Sequence, residues 1–170
     1  MVGPADAYLT QTLAGRYRLV RHLADGNFSH VFRAVDQRSS ALVAVKMLQP
    51  SAAVHPESAV EFQHEGALLE RLTRSSSVVG LLDSGNTQIA VEINGQSVPL
   101  SVSFHVLELA DGALSELLPL YNQLDWLRRL HIFRDVVVGA HQMHLQQVMH
   151  RDLKASNVLL FDTAATQLWP

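Results

Sequence analysis

The sequence predicts an α+β fold arranged as two lobes, and three observations lead to this prediction. Short runs rich in β-branched and aromatic residues, separated by turn signals, recur between positions 17 and 109. One helical pattern interrupts these runs, and helical patterns dominate from Ala113 onward. We therefore expect a five-stranded antiparallel sheet with one helix in the first lobe, followed by the beginning of a helical second lobe.

The first three predicted strands follow each other closely. Residues 17–23 mix apolar and basic side chains, as a half-exposed strand does, and Asp25-Gly26-Asn27 is a turn signal. Residues 31–35 are the predicted return strand. Residues 41–48 are almost wholly apolar, which predicts a strand buried on both faces. The small, polar segment 1–16 is predicted to be an N-terminal tail.

A helix and a hairpin complete the first lobe. Apolar positions between Glu57 and Thr73 fit a helix, and Ser58 with Glu61 predicts a capping box at its start. Asn94-Gly95 lies between the apolar-rich runs 89–93 and 97–102, which is the strongest short-range signal for a hairpin. Pro99 confines its strand to an edge, at least locally, and residues 104–109 predict a more central strand.

The second lobe begins with two predicted helices. A short helix is expected over residues 113–118, and a long one runs from about Asp125 to Gln146. The predicted inward stripe of the long helix consists of Leu127, Leu130, Phe133, Val137, Ala140 and Leu145.

Composition narrows the class of protein. The 170 residues are 48% hydrophobic and 17% charged, which is typical of a globular domain. A net charge of -3, with scattered lysines and arginines, predicts no nucleic-acid partner. The sequence has no cysteine, no apolar run of about eighteen residues and no signal-peptide architecture, so we expect a cytoplasmic protein with no membrane segment in this chain.

The most specific motif is His150-Arg151-Asp152-Leu153-Lys154-Ala155-Ser156-Asn157. It follows the pattern H-R-D-L-x-x-x-N and resembles the catalytic loop of protein kinases. Phosphoryl transfer needs an aligned acceptor hydroxyl and neutralised negative charge. The resemblance implies that Asp152 orients the hydroxyl and accepts its proton, that Lys154 faces the transferred phosphoryl group, and that Asn157 holds Mg²⁺. A lysine at position 154 resembles the serine/threonine kinases.

A second motif, Val43-Ala44-Val45-Lys46, is similar to the V-A-I-K of the third kinase strand. The resemblance implies that Lys46 contacts the α and β phosphates of ATP. A helix glutamate steers this lysine in the family, and Glu65 is the best candidate because Leu69 and Leu72 follow it at the family spacing.

A third motif is a weakened glycine-rich loop over Leu23–Val31, where the family pattern is L-G-x-G-x-F-G-x-V. Only the middle glycine, Gly26, is kept, and Ala24 and Ser29 replace the other two. Glycine lets backbone N–H groups approach a phosphate closely and adopts positive φ without strain. The resemblance nevertheless implies that this loop covers the ATP phosphates.

The adenine site is implied position by position. Leu107 resembles the gatekeeper, and Glu108 and Ala110 are the implied hinge residues that offer a backbone C=O and N–H to adenine. The apolar side chains implied to enclose the ring are those of Leu23, Val31, Ala44 and Leu159. Leu69, Leu81 and His150 match three members of the family's apolar spine.

Together these motifs identify residues 17–160 as similar to eukaryotic-type serine/threonine protein kinases. The implied kinase domain is partial and covers residues 17–170, with an N-lobe at 17–109, a hinge at 108–112 and the start of a C-lobe at 113–170. ATP and Mg²⁺ are the implied cofactors, and a protein hydroxyl is the implied substrate. No D-F-G or A-P-E motif occurs before Pro170, so we expect the front portion of a kinase domain.

Two alternatives stay open at this point. One is a catalytically inactive, truncated or pseudokinase-like protein that binds nucleotide or partners, because loss of the D-F-G aspartate removes one of two magnesium ligands. Another is a small-molecule kinase of the aminoglycoside-phosphotransferase type, although that class usually shows H-G-D in place of H-R-D. A metal site at His141-x-x-His144 is not expected, because His144 matches a packing position of the family and no third ligand converges on the pair.

Overall fold

The computed structural model describes residues 4–53, 55–73, 75, 77–93, 95–119 and 124–161, and the chain forms two compact units. The sheet unit comprises the described residues of Met1–Ala67 and Leu81–Leu109, and the helical unit those of Leu68–Gly80 and Ala110–Pro170. The boundary at Leu109 lies within the predicted hinge. The α+β architecture predicted from the sequence is confirmed.

The sheet unit is built on antiparallel strands in the order β1-β2-β3-β4-β6-β5. Their bounds are β1 Thr12–Leu13, β2 Tyr17–Asp25, β3 Ser29–Asp36, β4 Leu42–Leu48, β5 Leu81–Ile93 and β6 Gln96–Glu108. The five predicted strands are present, and the two-residue β1 is an addition to them.

The predicted hairpin joins β5 to β6, each of which is 13 residues long. Ile93 lies opposite Gln96 at its tip, and Gly95 adopts a φ of 77°, which glycine tolerates without strain. Asn94 lies outside the described residues. Strand β6 lies between β4 and β5. Pro99 disrupts no pairing with β4, because β4 pairs only with residues 104–108 of β6.

The N-terminal segment is not the tail that was predicted. Pro4–Tyr8 forms a 3-10 helix, and Leu13 of β1 lies opposite Tyr17 of β2. Leu13 is 0% exposed and packs into the core of the sheet unit together with Tyr8. The prediction failed because a short 3-10 turn with few apolar residues has no periodicity in the sequence.

The core of the sheet unit lies on one face of the sheet. It consists of Ala5, Tyr8, Leu13, Tyr17, Leu19, Phe32, Ala34, Val43, Val45, Met47, Ile89, Val102, Phe104 and Val106. Alternation along β3 explains the pattern, because Phe32 and Ala34 are buried while Val31 and Arg33 are only half-buried.

Two helices follow β4. Helix α1 spans Pro50–Ala53, and α2 spans Pro56–Leu72, close to the predicted helix. Proline is favoured at the first helical position because it has no N–H to leave unpaired. The predicted capping box is wrong: the helix begins before Ser58, so Ser58 lies buried inside the first turn.

The helical unit contains β7 Gly112–Ala113, α3 Leu114–Leu117, α4 Trp126–Leu145, a 3-10 helix at Ala155–Asn157, and β8 Leu159–Leu160. The N-cap of α4 is Asp125, whose carboxylate accepts a hydrogen bond from the Arg128 N–H at 2.8 Å. The bounds predicted for α4 are confirmed. Among the described residues, no helix has the length and apolar character that a bilayer crossing requires.

The predicted inward stripe of α4 is wrong. Leu127, Phe133 and Leu145 are exposed, and Phe133 retains 67% of its accessible surface. The buried side instead follows Ile132, Val136, Gly139 and Met143, about one residue (100°) around the helix. Apolar residues surround much of α4, so the helical period alone did not select one face.

Candidate active site

One face of the sheet carries most of the side chains that the resemblance assigns to nucleotide binding. Residues directly opposite each other in an antiparallel ladder share a face. Val31 lies opposite both Lys46 and Ala24. Ala44 shares the face of Lys46, because side chains alternate along a strand, and it lies opposite Leu107. The ladder therefore brings these side chains to the face opposite the hydrophobic core.

Leu23 differs from its neighbours because it lies at a β-bulge. The register shifts between His22 and Ala24, which leaves Leu23 without an opposite partner in the ladder. Its side chain is exposed. A bulge re-aims one side chain, so the register does not assign Leu23 to the nucleotide face.

Lys46 forms an ion pair with Glu65. The ammonium Nζ lies 2.5 Å from Oε1 and 2.6 Å from Oε2 of the glutamate. Lys46 extends from the middle of β4, and Glu65 lies in the third turn of α2. The structure thus brings together the lysine and glutamate that were paired from sequence spacing.

His105 fixes the part of α2 that carries Glu65. Its ring stacks on the Phe62 ring at a centroid distance of 4.1 Å, and Nε2 lies 2.9 Å from the Phe62 carbonyl oxygen. Gly66 lies beneath the same ring, where an added Cβ would be 2.5 Å from His105 Cε1. Sequence reasoning missed this contact, although His105 interrupts the apolar run from Phe104 to Leu107 and Gly66 interrupts a helix.

The β2–β3 loop is a short turn. The Gly26 N–H donates to the Ser29 carbonyl at 2.8 Å, and Ser29 is buried. Neither Ala24 nor Ser29 adopts a positive φ. The two residues that replace family glycines therefore cause no backbone strain, because they lie within the extended strands β2 and β3.

The catalytic-loop motif forms a compact polar cluster in the helical unit. Lys154 Nζ lies 2.9 Å from Asp152 Oδ2. The Asn157 amide Nδ2 donates to the Asp152 carbonyl at 2.8 Å and to Oδ2 at 3.1 Å. All three side chains are exposed. The carboxylate of Asp152 thus contacts both Lys154 and Asn157, which follow it by two and five residues in the motif.

These contacts act on the charge of Asp152. The hydrogen bond from Lys154 is the largest effect that holds the pKa of this carboxyl below its ordinary value, and the Asn157 amide adds to it. The carboxylate is therefore ionised at neutral pH, and it can accept a hydrogen bond from a hydroxyl group.

Arg151 adopts an unusual backbone conformation within this loop. Its φ is 62°, and the Asp152 N–H donates to the His150 carbonyl at 2.8 Å. A hydrogen bond between residues i and i+2 around a positive φ is the pattern of a strained γ-turn. Such strain is concentrated at functional sites. Sequence reasoning missed this feature because arginine gives no signal of positive φ.

Strands β7 and β8 hold the C-terminal end of the loop in place. Gly112 lies opposite Leu160, and Ala113 lies opposite Leu159. The Leu114 N–H also donates to the Val158 carbonyl at 2.8 Å. Of the remaining predicted residues, Ala110 precedes β7, Leu159 is exposed within β8, and Glu108 ends β6 on the surface. His150 is exposed, unlike the packed spine position that it was predicted to occupy.

The sequence matches the protein kinase domain family over residues 17–168. The chain therefore belongs to the protein kinase family. It is similar to the serine/threonine-protein kinase PknA of Mycobacterium tuberculosis (strain H37Rv), with 29% identity over 158 residues. This alignment covers 92% of the chain and 35% of the relative.

The chain is also similar to two further kinases, one from rice and one from Mycobacterium tuberculosis. CBL-interacting protein kinase 22 of Oryza sativa subsp. japonica is 33% identical over 172 residues, covering 91% of the chain and 35% of that protein. Serine/threonine-protein kinase PknD of Mycobacterium tuberculosis (strain H37Rv) is 31% identical over 147 residues, covering 86% and 20%. The chain thus spans about a third or less of the length of the curated relatives it matches.

Proposed function

We propose that the protein containing this chain is a serine/threonine protein kinase, which transfers the γ-phosphate of ATP to a hydroxyl group of a protein. The arrangement of Asp152, Lys154 and Asn157 in the matched catalytic loop is the observation that carries this proposal. It supplies one ionised acceptor, one cation and one amide, which is the set that the reaction needs around an acceptor hydroxyl.

The sheet unit supplies most of the proposed ATP-binding residues. Lys46, held by Glu65, provides a positive charge for the α and β phosphates. The turn between Gly26 and Ser29 is the proposed source of backbone N–H groups for the same phosphates, apart from the Gly26 N–H that closes the turn. Adenine needs flat apolar surface, and the proposed residues are Leu23, Val31, Ala44 and Leu159, while Ala24 belongs to the loop over the phosphates. The backbones of Glu108 and Ala110 are the proposed hydrogen-bonding partners of the adenine edge.

Asn157 fits the role of a magnesium ligand. Its Nδ2 group donates to Asp152, so the oxygen Oδ1 is the atom that it would offer to a cation. Mg²⁺ prefers oxygen ligands and is usually held by one or two protein groups together with substrate phosphates. When bound, the cation would neutralise the charge of the transferred phosphoryl group.

Asp152 would act on the acceptor hydroxyl. Its ionised carboxylate accepts the hydroxyl hydrogen bond and orients the oxygen towards the γ-phosphorus. As the new O–P bond forms, the bond between the γ-phosphorus and the bridging oxygen of ADP breaks, and the hydroxyl proton passes to Asp152. Lys154 would lie beside the developing charge, where a cation stabilises it.

A phosphotransfer assay tests this proposal. The chain is given radiolabelled ATP, Mg²⁺ and a protein substrate such as casein, and phosphoserine and phosphothreonine are separated. We expect transfer that Asp152→Asn lowers by about 10²–10⁴-fold. Asp135→Asn is the matched control, because Asp135 is an exposed aspartate that pairs with Arg134 on α4. Equal rates for the parent chain and Asp152→Asn would overturn the proposed role of Asp152.

Thermal unfolding separates nucleotide binding from transfer. ATP with Mg²⁺ should raise the melting temperature, and Lys46→Met should remove the increase, whereas Arg18→Met on the exposed side of β2 should leave it intact. Binding without transfer would instead favour the pseudokinase-like alternative. Transfer to an aminoglycoside in place of protein would favour a small-molecule kinase. The proposed cytoplasmic location is tested by fractionation of cells that express the protein.

A further inference from the structure

Three side chains that could bind a metal converge at the base of the β2–β3 loop. His22 Nε2 lies 3.0 Å from Asp25 Oδ1, and His30 Nδ1 lies 2.5 Å from the same oxygen. The nitrogen and oxygen atoms that these residues offer all lie within 4.8 Å of one another. Asp25 and His30 occupy unspecified positions of the glycine-rich loop pattern and His22 precedes it, so the kinase resemblance assigns no role to these three side chains.

The strand register explains why these side chains meet. Asp25 and His30 are directly opposite each other, so they share a face of the hairpin. His22 is three residues before Asp25, which would normally place it on the other face. The bulge between His22 and Ala24 returns the His22 side chain to the same face as Asp25. Phe32 is its cross-strand partner on that face. The cluster therefore lies on the face of the sheet opposite Lys46.

The surroundings hold the two imidazole rings in place. The His30 side chain is 8% exposed, and its ring lies 5.8 Å from the Tyr8 ring and 6.0 Å from the Phe32 ring, measured between centroids. The His22 ring lies 5.8 Å from the His30 ring. Asp25, in contrast, is 58% exposed. The site thus has two oriented ligands and one solvent-accessible carboxylate through which a cation can arrive.

We propose that His22, Asp25 and His30 form a binding site for a transition-metal cation of the Zn²⁺ class. Two imidazoles and one carboxylate are a ligand set that suits Zn²⁺, with water completing a tetrahedral arrangement. Ligand atoms around such an ion lie about 3.3 Å apart, given metal–ligand bonds of about 2.0–2.1 Å. The observed separations of 2.5 Å and 3.0 Å need only a small outward movement of the exposed Asp25.

Binding would fasten the end of β2 to the start of β3. Asp25 precedes Gly26 directly, and His30 follows Ser29, so the cation would close the turn that carries the proposed phosphate-binding N–H groups. The cation would replace the protons that now join the rings to the carboxylate, so its affinity falls as the solution is acidified. The metal site stands on its own geometry and does not depend on the proposed kinase activity.

The test is titration of the metal-free 170-residue chain with Zn²⁺ by calorimetry. We expect one equivalent to bind, and affinity to fall by roughly tenfold or more in each of His22→Gln, Asp25→Asn and His30→Gln. The matched control is His141→Gln with His144→Gln, which removes two exposed histidines one helical turn apart on α4. Co²⁺ provides a second readout, because its visible absorption reports four-coordinate ligation.

Each outcome decides the proposal. Failure of the parent chain to bind Zn²⁺, or undiminished affinity in His22→Gln and Asp25→Asn, overturns it. Loss of binding in the α4 double variant alone overturns it as well, because the metal would then lie elsewhere. If buried His30→Gln fails to fold, the other two variants decide, since both alter side chains at the surface end of the cluster.

Discussion

Lys46 Nζ lies within 2.6 Å of both carboxylate oxygens of Glu65, and His105 contributes to the position of both residues. The strand ladder fixes Lys46 opposite Val31 and His105. The His105 ring, through Phe62, fixes the helix that carries Glu65. The position of the ammonium group therefore depends on how α2 lies against β6.

Glu65→Gln should separate nucleotide binding from stability. The amide no longer attracts Lys46, so we expect ATP affinity to fall by roughly tenfold as the ammonium loses its fixed position. Partly exposed ion pairs contribute only about 0.2–1 kcal/mol to folding, so the melting temperature without ATP should change little. Calorimetric titration with ATP and Mg²⁺ measures the first quantity, and thermal unfolding the second.

Glu61→Gln is the control for this variant. Glu61 lies one turn earlier on α2 and is exposed. Its substitution should leave ATP affinity unchanged. If both variants weakened binding equally, a general effect of charge would explain the result, and the ion pair would have no specific role.

Gly66→Ala should destabilise the chain, although alanine is the better helix former. The new Cβ would lie 2.5 Å from His105 Cε1 and 3.0 Å from Nε2. Because the ring is held by Phe62, it cannot move away freely. Overpacking costs about 1–3 kcal/mol, and alanine returns about 1 kcal/mol of helix propensity. We expect a net loss of about 1 kcal/mol in urea unfolding.

A double variant identifies the source of that loss. Gly66→Ala combined with His105→Ala places a small side chain where the ring was. We expect the two substitutions to be non-additive by about 0.5–3 kcal/mol, because the second relieves the contact that the first creates. Additive effects would show that Gly66 is required for another reason.

The sequence was sufficient to predict the strands, α2, α4 and the Lys46–Glu65 pair, because period, spacing and family motifs all agree there. It was insufficient for two kinds of feature. The prediction of which face α4 buries was wrong because apolar residues occur all around this helix. The cluster of His22, Asp25 and His30 was not predicted because a β-bulge changes which residues share a face of the sheet. No sequence pattern indicated that bulge.

Arg151→Gly should stabilise the catalytic loop. A non-glycine residue at positive φ costs about 1–2 kcal/mol, while glycine adds about 0.5–1 kcal/mol of chain entropy to the unfolded state. We therefore expect a gain of about 0.5–1 kcal/mol in the free energy of unfolding. Arg18→Gly in β2 is the control, and we expect it to lower the free energy of unfolding. A loss of stability in Arg151→Gly would show that the arginine side chain outweighs the strain of the turn.

Asp36 should make the sheet unit sensitive to acid. Two hydrogen bonds of 2.8 Å from the Arg16 guanidinium are the main reason that the pKa of Asp36 is held below its ordinary value of 3.8. A depressed pKa in the folded state contributes stability above about pH 3.8 that is lost as the pH falls through the folded value. Asp36→Asn removes this contribution.

Urea unfolding at pH 7 and near pH 3 measures the effect. Asp36→Asn should be less stable than the parent chain at pH 7, and the difference should narrow at the lower pH. Glu57→Gln, an exposed carboxyl in the first turn of α2, should keep the pH dependence of the parent. A difference between parent and Asp36→Asn that stayed constant with pH would contradict the assigned cause.

The burial of Leu13 and Tyr8 bears on where this domain should be cut for expression. The family match starts at Tyr17, and a chain shortened to that residue would lose β1, the 3-10 helix and the Arg16 partner of Asp36. The core would lose Ala5, Tyr8 and Leu13, and Phe32 would lose the Tyr8 ring that lies 6.3 Å away between centroids. For this protein, the boundary suggested by homology falls inside the folding unit, and the residues upstream of it belong to that unit.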